Sequence, residues 1–198
     1  MRAVPPERGE PLLEEDKAVS LKKTLPPPSC HFLEASVGWL ELGNPAEALA
    51  ELSQIATEFL DHPQVLEVKW QIFARTEKWD KSLPIAQAFC QVAPGLPQGW
   101  LHQAVSLYRL NRTEEAWNLL LPMAKKFPRS WIISYDLSCY ACQLNRLDEG
   151  RAWLKKAFRL GDPKEVKLLA LADSDLKVLW PEIEGFQLQS SEEAGSAK

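Results

Sequence analysis

No stretch of this chain approaches the roughly 20 unbroken apolar residues that a bilayer crossing requires, so no membrane contact is expected. The opening residues, Met1-Arg2-Ala3-Val4-Pro5-Pro6-Glu7-Arg8, place charge and proline where an export signal needs an apolar run. Charge of one sign is missing too: 23 Lys and Arg face 27 Asp and Glu, a net −4, and residues 1–28 hold five of each sign. Nucleic acid and anionic lipid therefore find no basic field. Four cysteines in 198 residues are too few for a disulfide framework, which places the chain in a reduced, cytoplasmic setting. There is no Gly-x-Ser-x-Gly elbow, phosphate-cradling glycine loop or His-Glu-x-x-His element. The three histidines, His31, His62 and His102, lie far apart, with no acidic residue at a spacing that makes a metal or general-base group. These absences argue against an enzyme, a metal and a cofactor.

What is present is a period. Ala48, Ser82, Ala116 and Gly150 recur at a constant step of 34. Each is followed four residues later by Leu52, Ala86, Leu120 or Leu154, and three after that by Ile55, Phe89, Met123 or Ala157. A spacing held three times marks a repeat protein. Apolar residues fall at three- and four-residue spacing from about 29 to 180, with no sustained alternation of period two, so the array is all-helical. With 45% hydrophobic residues and eight Trp the chain suits one elongated domain.

The punctuation repeats as well. The first hairpin runs from Ser29 to Leu42, turns at Gly43-Asn44-Pro45 and returns from Ala46 to Leu60, with Asn44 as capping residue. Later turns fall at Glu77-Lys78-Trp79, Asn111-Arg112-Thr113 and Asn145-Arg146-Leu147. Three of the four begin with Gly or Asn, the residues that tolerate a left-handed backbone, and the Glu77 turn is expected to be strained or differently shaped. Between hairpins the chain breaks at Asp61-His62-Pro63, Pro94-Gly95-Leu96-Pro97, Pro128-Arg129-Ser130 and Gly161-Asp162-Pro163. Pro84 and Pro122 fall inside second helices and should kink them.

These residues resemble the tetratricopeptide repeat family from Ser29 to about Lys164. The third unit matches best, with Trp100, Ala104, Leu107, Ala116 and Pro128 at the family's marked places. The second has Trp70 where the family has a very small residue, which should push its helices apart. The resemblance implies a right-handed superhelical stack of helical hairpins with units at 29–62, 63–96, 97–130 and 131–162. Residues 1–28 read as a flexible Pro-rich segment. A capping helix and short helical segment follow at 163–184, with Val166, Leu168, Leu169 and Leu171 as the apolar side, and a disordered tail at 185–198. The ending resembles that of many bacterial repeat proteins of the family.

The resemblance also implies that first helices line a concave groove. The residues it assigns there include Leu33, Val37 and Leu40; Glu67, Gln71 and Arg75; Leu101, Val105, Tyr108 and Arg109; and Tyr135, Asp136 and Cys139. Leu33 and Val37 occupy the places where carboxylate-holding members carry Lys and Asn, so a carboxylate clamp is not expected. An apolar floor edged by charge suits an extended or helical segment of another protein. The residues could instead be covered by a segment of the chain itself. Residues 12–23, modestly amphipathic, are the candidate plug.

Cys139-Tyr140-Ala141-Cys142 has the spacing of a redox pair, but it falls mid-helix, away from the helix N-terminus that lowers a thiol pKa, and reads as packing. Trp39, Trp70, Trp79 and Trp100 read as core. Exposure of two among Trp117, Trp131 and Trp153 would give a weak self-association patch. The sequence thus describes a non-enzymatic adaptor that binds a protein segment in its groove. A chaperone-like factor holding an apolar segment of a client for assembly or secretion is the alternative.

Overall fold

A computed structural model describes residues 25–185, so the readings placed on the N-terminal plug and most of the C-terminal tail lie outside the described residues. Among the described residues there are ten α-helices, two 3-10 segments and no strand. The helices are α1 (Ser29–Glu41), α2 (Pro45–Leu52), α3 (Pro63–Arg75), α4 (Trp79–Val92), α5 (Pro97–Arg109), α6 (Thr113–Lys126), α7 (Trp131–Gln143), α8 (Leu147–Leu160), α9 (Pro163–Ala172) and α10 (Trp180–Glu184). The 3-10 segments are Thr57–Phe59 and Ser174–Leu179. Consecutive pairs α1/α2, α3/α4, α5/α6 and α7/α8 pack as hairpins, so the fold is an all-α array of helical hairpins. The first helices all begin and end 34 residues apart, from Ser29, Pro63, Pro97 and Trp131 to Glu41, Arg75, Arg109 and Gln143.

One backbone device closes all four first helices. Gly43, Glu77, Asn111 and Asn145 have φ of 75°, 54°, 62° and 59°. Each N–H bonds to the carbonyl three residues back, and the next residue's N–H bonds five back: Gly43 to Leu40 and Asn44 to Trp39, Glu77 to Ala74 and Lys78 to Phe73, Asn111 to Tyr108 and Arg112 to Leu107, Asn145 to Cys142 and Arg146 to Ala141. The paired bonds satisfy carbonyls that a helix end otherwise leaves open. The Glu77 turn is therefore shaped like the others and holds a side chain where Cβ crowds the following carbonyl.

Second helices begin at each return. Asn44 Oδ1 accepts from Glu47 N at 3.4 Å, with Pro45 in the first turn. α2 ends at Leu52, short of the expected Leu60. Ser53 Oγ donates to Ala50 O (2.6 Å), Ala56 N donates to Ser29 Oγ (3.4 Å), and Ile55 is buried. Local side-chain bonds of this kind compete with helix continuation. α4 and α6 run through Pro84 and Pro122, both on exposed positions.

The chain divides into two compact units, one ending at Phe127 and the other beginning at Pro128, where the sequence suggests a single elongated domain. In the first unit a core of Leu40, Ala48, Leu52, Ile55, Val65, Val68 and Ile72 also takes in Leu25, which the sequence reading places in the flexible segment. A second cluster joins Leu66, Phe89 and Ala93. The small residues at the period work as close-packing contacts: Ser36 Oγ donates to Ala48 O at 2.8 Å, and in the other unit Ser138 Oγ donates to Gly150 O at 2.8 Å. Gly99 permits another close approach, because a Cβ there would stand 2.5 Å from Phe89 Cδ1 and 3.1 Å from Cys90 N.

The second unit has its own core because the chain folds back on α7. That helix is buried along its length from Trp131 to Ala141, its polar Ser134, Asp136 and Ser138 included. Asp162 caps α9, accepting from Lys164 N (2.7 Å) and Glu165 N (3.3 Å). Val166, Ala170, Leu176, Leu179 and Ile183 are buried, whereas Leu168, assigned to the apolar side, is exposed. Arg151 pins the end of the chain through Glu182 (2.8 Å), and Trp180 Nε1 donates to Ala170 O (2.9 Å).

Two outcomes are expected in urea denaturation. Glu77→Gly raises stability by about 1 kcal/mol by relieving the left-handed strain, since the Glu77–Arg109 pair, long at 3.9 Å and exposed on its Glu77 side, contributes little. Gly99→Ala lowers it by about 1–3 kcal/mol through overpacking.

Candidate functional site

The first helices of the first unit lie side by side, α3 packing beside both α1 and α5. Leu33 is half-buried against the first core, and Val37 is 37% exposed one turn later. Gln71, Val105 and Tyr108 are half-buried and Arg75 is exposed. These residues form the open part of the predicted lining. Leu40 and Leu101, assigned to the same lining, are buried. Leu40 belongs to the core beneath α1, so its place is support and not contact.

The polar members of this face are tied to one another. His102 Nε2 donates to Glu67 Oε2 at 2.8 Å, and Gln71 Nε2 donates to Glu67 Oε1 at 3.2 Å. The separation of histidines from carboxylates in sequence therefore disappears in space, because the two residues sit on adjacent first helices. Burial pushes the Glu67 carboxyl up, but the opposing His102 charge and the hydrogen bonds from His102 and Gln71 outweigh it and hold the group below its ordinary value.

Trp70 completes the cluster. Its ring stacks on His102 with centroids 3.7 Å apart and planes 12° from parallel, and its Nε1 donates to Ser106 Oγ at 3.0 Å. The Ser106 hydroxyl lies 3.2 Å from that of Ser82 and donates to His102 O. An indole too large for the small-residue position is thus taken up by the next repeat. Sequence reasoning missed this cluster, although polar His102 and Ser106 on the following first helix were a readable signal.

The two edge arginines act within the fold. Arg75 Nη1 donates to Leu40 O at the end of α1, where a cation complements the helix terminus. Arg109 stands 5.0 Å over the Trp79 ring and 3.9 Å from Glu77.

In the fourth repeat the predicted lining is closed. Tyr135, Asp136 and Cys139 are buried, and the segment Ser174–Leu179 packs against α7. Tyr135 OH donates to Asp173 Oδ2 at 3.1 Å, Cys139 Sγ to the same oxygen at 3.6 Å, and Gln143 Nε2 to Asp175 O at 3.3 Å. Tyr135, Asp136 and Cys139, which the sequence places in the lining, are thus buried, and Tyr135 and Cys139 bond within the chain. The covering segment comes from the C-terminal side of the repeats, and the signal for it was Asp173-Ser174-Asp175 followed by Leu176 and Leu179.

Cys30, Cys90, Cys139 and Cys142 are thiols outside any disulfide. Burial pushes the Cys90 and Cys142 thiols up to about 11, opposite to the depression a redox thiol needs. The tryptophan assignments change too. Trp117 and Trp131 are buried and Trp153 is half-buried under Lys156, so the expected self-association patch is not formed by them. Trp39, read as core, is 36% exposed. Among the described residues no helix is long and apolar enough to cross a membrane.

Glu67→Gln tests the cluster. A carboxyl whose folded pKa is lowered contributes its full stabilisation above the ordinary 4.5 and loses it as pH falls through the folded value. The variant is expected to be about 1–2 kcal/mol less stable at pH 7, with the difference from wild type shrinking on acidification below 4.5, as read by urea denaturation across pH.

Comparison with known proteins shows likeness in structure alone. No protein-family model matches the chain, and no curated protein matches it. Solved structures do. MamA 41-end from Desulfovibrio magneticus RS-1 aligns with a TM-score of 0.63 at 17% identity, over 82% of this chain and 94% of that one. MamA AMB-1 aligns at 0.57 and 17% identity, over 77% and 91%, and MamA MSR-1 at 0.56 and 18%, over 65% and 74%. At these identities the likeness establishes the fold: this chain and the MamA structures share an all-α array of helical hairpins.

Proposed function

We propose that the chain is a non-enzymatic protein-interaction module of the tetratricopeptide type, holding an extended or short helical segment of another protein on the first-helix face of its first three repeats. The observation that carries this reading is the contrast in cover. Leu33, Val37, Gln71, Arg75, Val105 and Tyr108 retain solvent access, while the corresponding side of the fourth repeat is filled by the chain's own segment. Apolar groups spaced along neighbouring helices and flanked by amides and guanidinium suit a segment with spaced apolar side chains.

The state of the polar groups supports a binding role over catalysis. Glu67 has its carboxylate engaged by His102 and Gln71 and is held in the charged form, which leaves it a poor proton donor near neutrality. Cys90 and Cys142, with pKa values near 11, stay protonated and unreactive.

Val105→Glu places a charge on the middle of this face. Affinity capture from the source cell with the intact chain and with this variant is expected to show at least a tenfold loss of a specific partner, with helical content and melting unchanged. Undiminished capture by both Val105→Glu and a Tyr108→Ala variant would remove this face from consideration.

A further inference from the structure

We propose that residues 11–24 form a helix that packs antiparallel to α1 and closes the N-terminal end of the stack, as a second helix without a first. This goes beyond the reading of the first-helix face as a binding surface, and it leaves that face open.

The 34-residue register continues upstream of α1. Helices α4, α6 and α8 begin and end 34 residues apart, and α2 starts in phase with them at Pro45. Two steps before α4 lies 11–24, with Pro11 one step before Pro45, Ala18 before Leu52, Leu21 before Ile55 and Leu25 before Phe59. Leu25 already keeps that place, buried in the first core against which Phe59 packs. The charges are ordered as a helix dipole favours, with Glu14, Glu15 and Asp16 in the first half and Lys22 and Lys23 at the end. α6 has the same order in Glu114, Glu115, Lys125 and Lys126.

On α1 there is an unfilled place to receive it. Ala48, Leu52 and Ile55 share one core with Ile72, Val68 and Val65 of the next first helix, and the Ser82 and Ser106 hydroxyls stand 3.2 Å apart. Ala48 to Ile72 and Ser82 to Ser106 are each an offset of 24. The same offset sets Glu14 opposite Gly38, and the antiparallel run then sets Ala18 beside Glu34 and Leu21 beside His31. Glycine weakens a helix interior, and a Cβ on Gly38 would meet nothing within 4 Å, whereas one on Gly99 would strike Phe89. No described contact therefore requires Gly38, but a Glu14 stem laid over bare backbone does. Charge agrees, because residues 24–68 hold seven Asp and Glu with no Lys or Arg. Among the described residues Glu34 meets a basic side chain only in the exposed 3.9 Å contact with His31, and Lys17, next to Ala18, supplies a cation. With His31 and Glu34 in place of Val65 and Val68 the contact is less apolar than that between α2 and α3, so this helix opens before the others.

The test is backbone assignment of the full ¹³C,¹⁵N-labelled chain by magnetic resonance. Helical Cα shifts are expected over residues 11–24, with amide exchange slowed about tenfold or more against an unstructured peptide and less than in α1. Gly38→Leu fills the receiving place and should return 11–24 to random-coil shifts while α3–α6 keep theirs. Ala18→Pro breaks the segment itself and should displace the amide resonances of Glu34 and Gly38. Random-coil shifts over 11–24 in the unaltered chain, a segment that stays helical in Gly38→Leu, or α1 resonances unmoved by Ala18→Pro would each overturn the assignment. Contacts from the Leu21 methyls to Val105 or Tyr108 in place of His31 and Gly38 would overturn it too, and would put the segment on the first-helix face.

Discussion

The architecture depends on a left-handed residue at the end of every first helix. With φ near 60°, Gly43, Glu77, Asn111 and Asn145 turn two successive N–H groups back onto the carbonyls of the helix they terminate. The chain leaves in one fixed direction, and the second helix returns against the first in the same way each time. Because the step is constant at 34, first helices have the same length and phase, and side chains at corresponding places take corresponding positions along their helices. That Glu77 adopts the geometry despite its Cβ shows the tertiary return overriding local preference.

Given that frame, the character of each face follows from what lies over it. Where a small residue sits between the helices of a hairpin, Ser36 and Ser138 each bond to a carbonyl of the returning helix. Where Trp70 stands instead, the excess volume passes to the next repeat, and a stacked ring pair with a Glu67–His102 contact results. One oversized residue thus organises the polar centre of the open face. On α7 the opposite holds: the helix is buried from Trp131 to Ala141, and the segment after α9 packs against it.

Much of this was readable in the residues. The 34-residue step, the Gly and Asn turn residues and the Pro-marked breaks point to an all-helical array of hairpins, which is the fold observed. The candidate site was legible only as a set of places. Leu33, Val37, Gln71, Arg75, Val105 and Tyr108 keep solvent access. Leu40 and Leu101 rotate into the core, and the helical period separates such neighbours by no more than a fraction of a turn. Tyr135, Asp136 and Cys139, expected in the lining, are buried, and Tyr135 and Cys139 bond to Asp173, more than thirty residues away.

By itself the sequence determined that the chain is an all-helical array of hairpins, because its period and most of its punctuation rest on local chemistry: a residue that tolerates positive φ, a side chain that caps, a proline without an N–H. Only the tertiary structure decided which lining places stay open and which polar groups neutralise one another. Such outcomes depend on contacts between residues about 30 or more positions apart, His102 with Glu67 and Asp173 with Tyr135. Burial and pairing are properties of what the finished fold lays over a side chain, and no local pattern encodes them.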